Sequence, residues 1–217
     1  MCSNYRPTHG ERLQEFFNVT PPAFDLSGEV YPASLAPIIR LSPDSQDTQE
    51  CVAACFGLVP HWADRKLARR TYNARTETVG SKPSYRSAFR HHQYCVIPLD
   101  SFYEPNYETG KAVRWRISHT AGVPLGVAGI WDVKPNERNG EPLISFSMLT
   151  MNADNHLLMR RFHGIEDEKR MLVILDPADY HNWLHATPAD APQFYKPFPS
   201  ELLVAEAAPR RSVPTKP

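Results

Sequence analysis

The chain of 217 residues balances 24 lysines and arginines against 24 aspartates and glutamates. That argues against bulk basic coating of nucleic acid and leaves only a local basic groove open. No apolar run approaches the roughly 18 residues of a membrane-spanning helix, and the start (MCSNYRPTHG) lacks the apolar segment of a secretory signal, so a cytoplasmic protein is expected. Four cysteines are too few for a disulfide scaffold at this length, and 21 prolines favour short strands, turns and loops over long helices.

In chain order, residues 11–17 (ERLQEFF) place Leu13, Phe16 and Phe17 at helical spacing and predict a short helix. A Pro-rich stretch from Pro21 to Pro37 follows. Residues 35–41 read as a strand, 42–49 as a polar turn, and 51–59 (CVAACFGLV) as a buried strand ending at Pro60. Residues 67–71 are basic and helical or looped, and 83–91 predict a second short helix. Residues 94–98 (YCVIP) predict a strand, with Glu104 just beyond it. Alternation in 112–118 (AVRWRIS) suits a half-exposed strand, and 123–131 and 143–151 read as further strands. Residues 153–161 predict a helix with Asp154 near its start, 171–175 (MLVIL) a core strand, and 178–184 a short helix behind Asp176-Pro177. Strands and short helices lack regular βαβ spacing. An α+β fold is expected, with a mainly antiparallel sheet curled into a barrel-like core. It would be a single domain over 1–205, followed by a disordered Pro/Arg-rich tail over 206–217.

Cys2 is the most informative position. A small residue behind the initiator Met normally leads to Met removal, which leaves a cysteine with both a free α-amine and a thiol. Their ordinary pKa values, about 8 and about 8.5, keep both partly nucleophilic near neutral pH. The amine can condense with an aldehyde to an imine, and the thiol can close on that imine as a thiazolidine ring. An incidental second residue is the alternative.

Asn73 and Arg75 sit in TYNARTET behind the basic segment RKLARR. Asn73 offers a donor and an acceptor with which to hold the Cys2 terminus, and Arg75 can grip a phosphate in bidentate fashion. A turn with a surface Arg is the plainer reading of those residues alone. Glu104, between Tyr103 and Pro105, suits a partly buried carboxyl of raised pKa acting as general acid or base; an exposed Glu at a strand end is its plainer reading. His163 has the pKa range for proton transfer, although a lone loop His is usually incidental. Cys51 and Cys55 lie four apart with no second close cysteine pair, a poor metal signal, and are more simply core residues. Basic residues cluster at Arg65–Arg75, at Arg86–His92 and at Arg160-Arg161, interleaved with Trp62, Tyr72 and Tyr85. That pattern fits either a groove for single-stranded nucleic acid or a solvated face.

Cys2 behind the initiator Met is followed by FGLVPHW (56–62), NARTET (73–78), Cys95-Val96-Ile97-Pro98 leading to Phe102-Tyr103-Glu104, AGIW (128–131), His163, and Arg170-Met171 ahead of residues 173–175. This ordered set, from residue 2 to about 184, resembles the SOS-response-associated peptidase (SRAP) family. The resemblance implies a compact α+β fold and a partner, single-stranded DNA carrying abasic sites, to which the N-terminal cysteine crosslinks as a thiazolidine. By the same resemblance Asn73 would orient Cys2. Glu104 would serve self-removal of Met1 and proton transfer at the amine. His163 would help open the sugar ring and assist Schiff-base steps, including strand cleavage or crosslink reversal. Arg75 and Arg86 would contact phosphates, with Arg6 and Arg161 as further DNA contacts and Trp62 as a stacking surface. No metal and no organic cofactor are expected. A monomer is expected, cytoplasmic and associated with the nucleoid when bound to DNA. The chain departs from the family pattern at Ser3-Asn4, where Gly-Arg is common, and at Pro105, where a Trp often follows the Glu. It departs again in the seven residues between His163 and Met171. The competing classes are an N-terminal-nucleophile peptidase or amidase acting on non-DNA substrates through Cys2, and a non-covalent DNA-binding adaptor.

Overall fold

The structure is a computed structural model describing residues 2–23, 28–135, 140, 142–164 and 166–210. Strand β1 (Tyr5–Pro7) leads to helix α1 (Glu11–Phe17), and β2 (Leu35–Ser42) and β3 (Ser45–Phe56) form a hairpin. A 3₁₀ segment (Arg65–Arg70) precedes β4 (Asn73–Arg75), α2 (Arg86–Arg90), β5 (Tyr94–Asn106), β6 (Val113–His119), β7 (Leu125–Lys134) and β8 (Leu143–Asn152). A 3₁₀ turn (Met159–Arg161), β9 (Arg170–Leu172), β10 (Ile174–Leu175), α3 (Tyr180–Leu184) and β11 (Leu203–Ala207) follow.

The strands make one sheet in the order β10-β7-β8-β3-β2-β5-β6-β11, with β1 on β5 and with β4 and β9 on β8. β7 also pairs with β5, from Ile130 opposite Tyr94 to Leu125 opposite Leu99, so β7, β8, β3, β2 and β5 close into a ring. Pairing is antiparallel except where β3 and β4 run parallel to β8. The expected α+β, mainly antiparallel, barrel-like single domain with few short helices is what these strands build.

Strand periodicity explains where the core sits. Successive side chains point to opposite faces. Ile38, Ile97, Val127 and Met148 enter one cluster with Tyr5, Phe56, Phe102 and Phe146. Their neighbours Ile39, Val96, Ala128 and Leu149 pack the other way, against Leu13 and Phe17 of α1, Phe89 of α2 and Trp183 of α3. Both faces are apolar, so these strands read as continuous apolar runs rather than alternating ones. At the closure, a Cβ on Gly129 would lie 2.3 Å from Ile97 Cδ1 and 2.8 Å from the Ser147 carbonyl oxygen, which reserves the position for glycine.

Several local expectations change. The turn expected over 42–49 is confined to Pro43 and Asp44, because β3 begins at Ser45 and its polar half pairs with β2. The helix expected over 153–161 does not form. His156 Nδ1 accepts the N–H groups of Leu158 (3.2 Å) and Met159 (3.0 Å), and Asn152 Oδ1 accepts that of Asp154 (3.0 Å). These side chains take donors a helix would use and leave one 3₁₀ turn. β5 runs on past Pro98, so Glu104 lies within a strand rather than after one. Asn73 and Arg75 stand on β4 rather than in a turn. β11 reaches two residues past the boundary expected at 205, with Glu206 opposite Arg116 and Ala207 opposite Trp115; residues 211–217 of the expected tail lie outside the described residues.

Candidate active site around Cys2

β1 lies along β5 with Tyr5 opposite Phe102, and the Tyr103 N–H donates to the Asn4 carbonyl at 3.0 Å. This pairing draws Cys2 into the inner core cluster, where it is 1% exposed and its thiol donates to the same Asn4 carbonyl at 3.4 Å. Burial, and then the charge of Glu104, push the thiol pKa up to about 12. Cys2 is therefore a thiol at neutral pH.

Glu104 stands on β5 opposite Trp115 and is 3% exposed. Burial pushes its carboxyl up to about 7. His163 sits between the Met159–Arg161 turn and β9 with φ +69°, a costly backbone for a residue with a Cβ. The loop is pinned: the His163 N–H donates to the Pro105 carbonyl (2.9 Å), Asn106 Nδ2 donates to the Arg161 carbonyl (3.1 Å), and the Lys169 ammonium donates to the carbonyls of His163 and Gly164. The result is His163 Nδ1 at 3.6 Å from Glu104 Oε2 and Nε2 at 3.4 Å from the Arg170 carbonyl. A carbonyl only accepts, so this contact favours the tautomer with its hydrogen on Nε2 and leaves Nδ1 facing Glu104. Burial pushes the imidazole pKa down to about 4. Between about pH 4 and 7 the pair thus consists of a neutral carboxyl beside a neutral imidazole.

Asn73 is 8% exposed on β4, which runs parallel to β8 with Asn73 opposite Met148. Its Nδ2 donates to the Tyr72 carbonyl at 2.8 Å, which fixes the amide orientation. Its Oδ1 is then a buried acceptor without a hydrogen-bond donor among the described residues. Burial raises the neighbouring Tyr72 phenol, helped by Cys2 and Glu104, which places this segment beside the cysteine. Arg75 pairs with Glu168 at 2.8 Å. Glu168 also pairs with Arg170, 2% exposed, which grips Glu77 through two bonds (2.8 and 2.9 Å) and donates to the Thr150 carbonyl. Arg75 therefore reaches His163 through Glu168 and the Arg170 backbone.

Two pockets meet at the Glu104–His163 pair. One, about 510 Å³, is lined by His163, Tyr107, Arg160, Arg161 and Lys169 with Glu108 and Asp154; Arg161 is held bidentate by Glu108 at 2.9 and 3.0 Å. The other, about 310 Å³, is lined by Ser3, Asn4, Glu104, Pro105, Arg114 and Arg210, among others. Trp62 is 57% exposed on the loop after β3. Arg6 on β1 and Arg86 at the start of α2 are exposed, and neither lines the two pockets at the pair. Arg170, Lys169, Asn4 and Arg114 are site residues that the sequence reading left without a role. Arg170 carried a signal, as the last residue of a charged run directly ahead of the apolar run 171–175; the others are set by tertiary contacts. Cys51 and Cys55 have thiols raised by burial, and among the described residues no three metal-binding side chains converge.

Comparison with known proteins identifies the fold and the family. A solved structure from Bordetella bronchiseptica superposes with a TM-score of 0.86 at 36% identity, covering 95% of this chain and 99% of that one. One from Bacteroides thetaiotaomicron shares the fold, with a TM-score of 0.80 at 22% identity over 95% of this chain and 91% of that one. The abasic site processing protein YoqW of Bacillus subtilis is 33% identical over 137 residues, 62% of this chain and 57% of that protein. The abasic site processing protein HMCES of Gallus gallus is 29% identical over 45% of this chain and 36% of that protein. The match thus spans little more than half of YoqW and less of HMCES. The model of the SOS response associated peptidase (SRAP) family matches residues 1–211, and the chain belongs to that family.

Proposed function

We propose that this protein binds single-stranded DNA and, after removal of Met1, links Cys2 to abasic sites as a thiazolidine that shields them during replication or the damage response. The relatives named for abasic site processing support this reading. The observation that carries it is the position of Cys2, buried near a carboxyl poised near neutral pH that lies 3.6 Å from His163 Nδ1.

An abasic sugar is a hemiacetal in equilibrium with an aldehyde. Opening it requires a proton at the ring oxygen and removal of one from the hydroxyl, which a one-proton acid–base pair can supply. The α-amine of Cys2 then adds to the aldehyde carbon, and water leaves with a proton donated by Glu104. The thiol S–H adds across the imine, its sulfur to carbon and its proton to nitrogen, for a net loss of one water. A thiol held near pKa 12 suits this order, because it stays protonated until the imine is present. The buried Asn73 Oδ1 is an acceptor for the amine. Ionised Glu104 would activate water for cleavage of the Met1–Cys2 peptide bond, and the same pair could run the imine steps backward to release the link; strand cleavage would instead take a proton from the carbon next to the imine carbon, with the 3′-phosphate as leaving group. The reaction as written needs one chain, one strand and no metal or organic cofactor.

A cysteine peptidase or amidase needs a thiolate, and the surroundings of Cys2 favour the thiol. The readings separate on a denaturing gel with a single-stranded oligonucleotide containing one abasic site. The proposal expects at most one site captured per chain, no durable adduct with Cys2→Ser, and no repeated turnover of peptide substrates. An equally durable adduct from Cys2→Ser, or multiple peptide turnovers, contradicts it.

A further inference from the structure

We infer that the pocket on the Glu104 side of the reacting pair is an anion subsite for a DNA backbone phosphate, with Arg114 as its anchor and Glu29 as the counter-ion that the phosphate replaces. The inference rests on the abasic-site reading above.

Arg114 projects from β6 with its guanidinium 3.4 Å over the Tyr103 ring. Nη2 donates to Asn4 Oδ1 (2.5 Å) and pairs with Glu29 Oε1 (2.7 Å), and Nη1 reaches the Ala208 carbonyl at 3.4 Å. Nε is buried with no hydrogen-bond partner among the described residues, although the side chain as a whole is 20% exposed. A guanidinium stacked and held on several sides has already given up most of its rotamer freedom, so a new oxyanion meets a preorganised donor. Arg210 adds a second guanidinium to the wall, 5.4 Å over the Tyr31 ring and donating to the Tyr31 hydroxyl, which in turn donates to Glu29 Oε2 at 2.7 Å. Glu29 therefore pairs directly with Arg114 and is linked to Arg210 only through the Tyr31 hydroxyl. While Glu104 is protonated the pocket carries an excess positive charge, which suits a phosphodiester. Its register to the chemistry is built in. Asn4, held by Arg114 through its side chain, uses its backbone carbonyl to accept the Cys2 thiol. A phosphate on Arg114 would thus lie beside Asn4, whose backbone holds the nucleophile, as expected for one flanking the reacting sugar. The Arg160–Arg161 pocket lies on the His163 side of the same pair, so the two would hold the strand on either side of the lesion.

The test uses the full chain, a single-stranded oligonucleotide with one unreactive tetrahydrofuran abasic analogue, and a set of strands each carrying one neutral methylphosphonate near the analogue. Binding is read by fluorescence anisotropy. The wild type should lose about tenfold in affinity at one methylphosphonate position. Arg114→Gln should show a similar loss on the all-phosphate strand and no further loss at that position. Glu29→Gln, which removes the competing carboxylate, should bind several-fold tighter, a direction that misfolding cannot produce. If Arg114→Gln stays sensitive at every position, or Glu29→Gln fails to tighten, the subsite is overturned while the function proposed above stands. If the wild type does not bind the abasic strand, both fall.

Discussion

In an unfolded chain between about pH 4.5 and 6.5, His163 would be charged and Glu104 ionised; in the fold the carboxyl holds the proton and the imidazole is neutral. Glu104 is raised from 4.5 to about 7, so it favours folding at low pH and loses that contribution as pH rises through its folded value. His163 is lowered from 6.5 to about 4, so its contribution is present at higher pH and is lost as pH falls through its folded value. Across 4.5–6.5 each state binds one proton in total, and the two slopes cancel. Single substitutions unmask them. Glu104→Gln should lose up to about 3 kcal/mol of stability on acidification from pH 6.5 to 4, and His163→Gln up to about 3 kcal/mol as pH rises from 4.5 to 7. Urea melts across pH check both. A wild type with the slope of either variant contradicts the two opposed shifts.

At the scale of elements, the site depends on how strands end. β3 stops at Gly57, where φ is +117° and a Cβ would lie 1.9 Å from the Ala68 carbonyl oxygen. Only glycine lets the Trp62 loop fold back over the Arg65–Arg70 segment. Gly57→Ala should cost more than about 2 kcal/mol, read as a lowered Tm; near-wild-type stability would contradict this role. The ring strands were legible in the sequence because YCVIP and the runs read at 123–131 and 143–151 are mainly apolar on both faces. β4 was not, since NAR carries no periodic signal and is a strand only because β8 offers it a parallel edge. The helix read over 153–161 failed for a similar reason, as its apolar spacing was outweighed by His156 and Asn152 capturing backbone donors. In the site, Cys2, Glu104 and His163 were legible as residues, and their meeting was supplied by β1 pairing with β5 and by the pinned loop at His163. Arg114 was hidden within an ordinary alternating strand.

For the whole molecule, zero net charge coexists with a locally basic entrance. Arg75 is half-exposed and paired with Glu168, a pair worth under about 1 kcal/mol. Arg75→Ala should therefore leave stability almost unchanged, yet reduce the salt slope of DNA binding by about one if a phosphate takes Glu168's place. Anisotropy titrations over a range of salt check this, and an unchanged slope removes Arg75 from the interface. The central claim, that Cys2 itself captures the lesion, is tested most directly by intact-protein mass after incubation with a single-stranded oligonucleotide bearing one abasic site, with Cys2→Ala in parallel. The expected wild-type species lacks Met1 and carries the oligonucleotide mass less one water without any reductant, while the variant gains nothing. A wild type that retains Met1, or an adduct that survives in Cys2→Ala, would contradict the account.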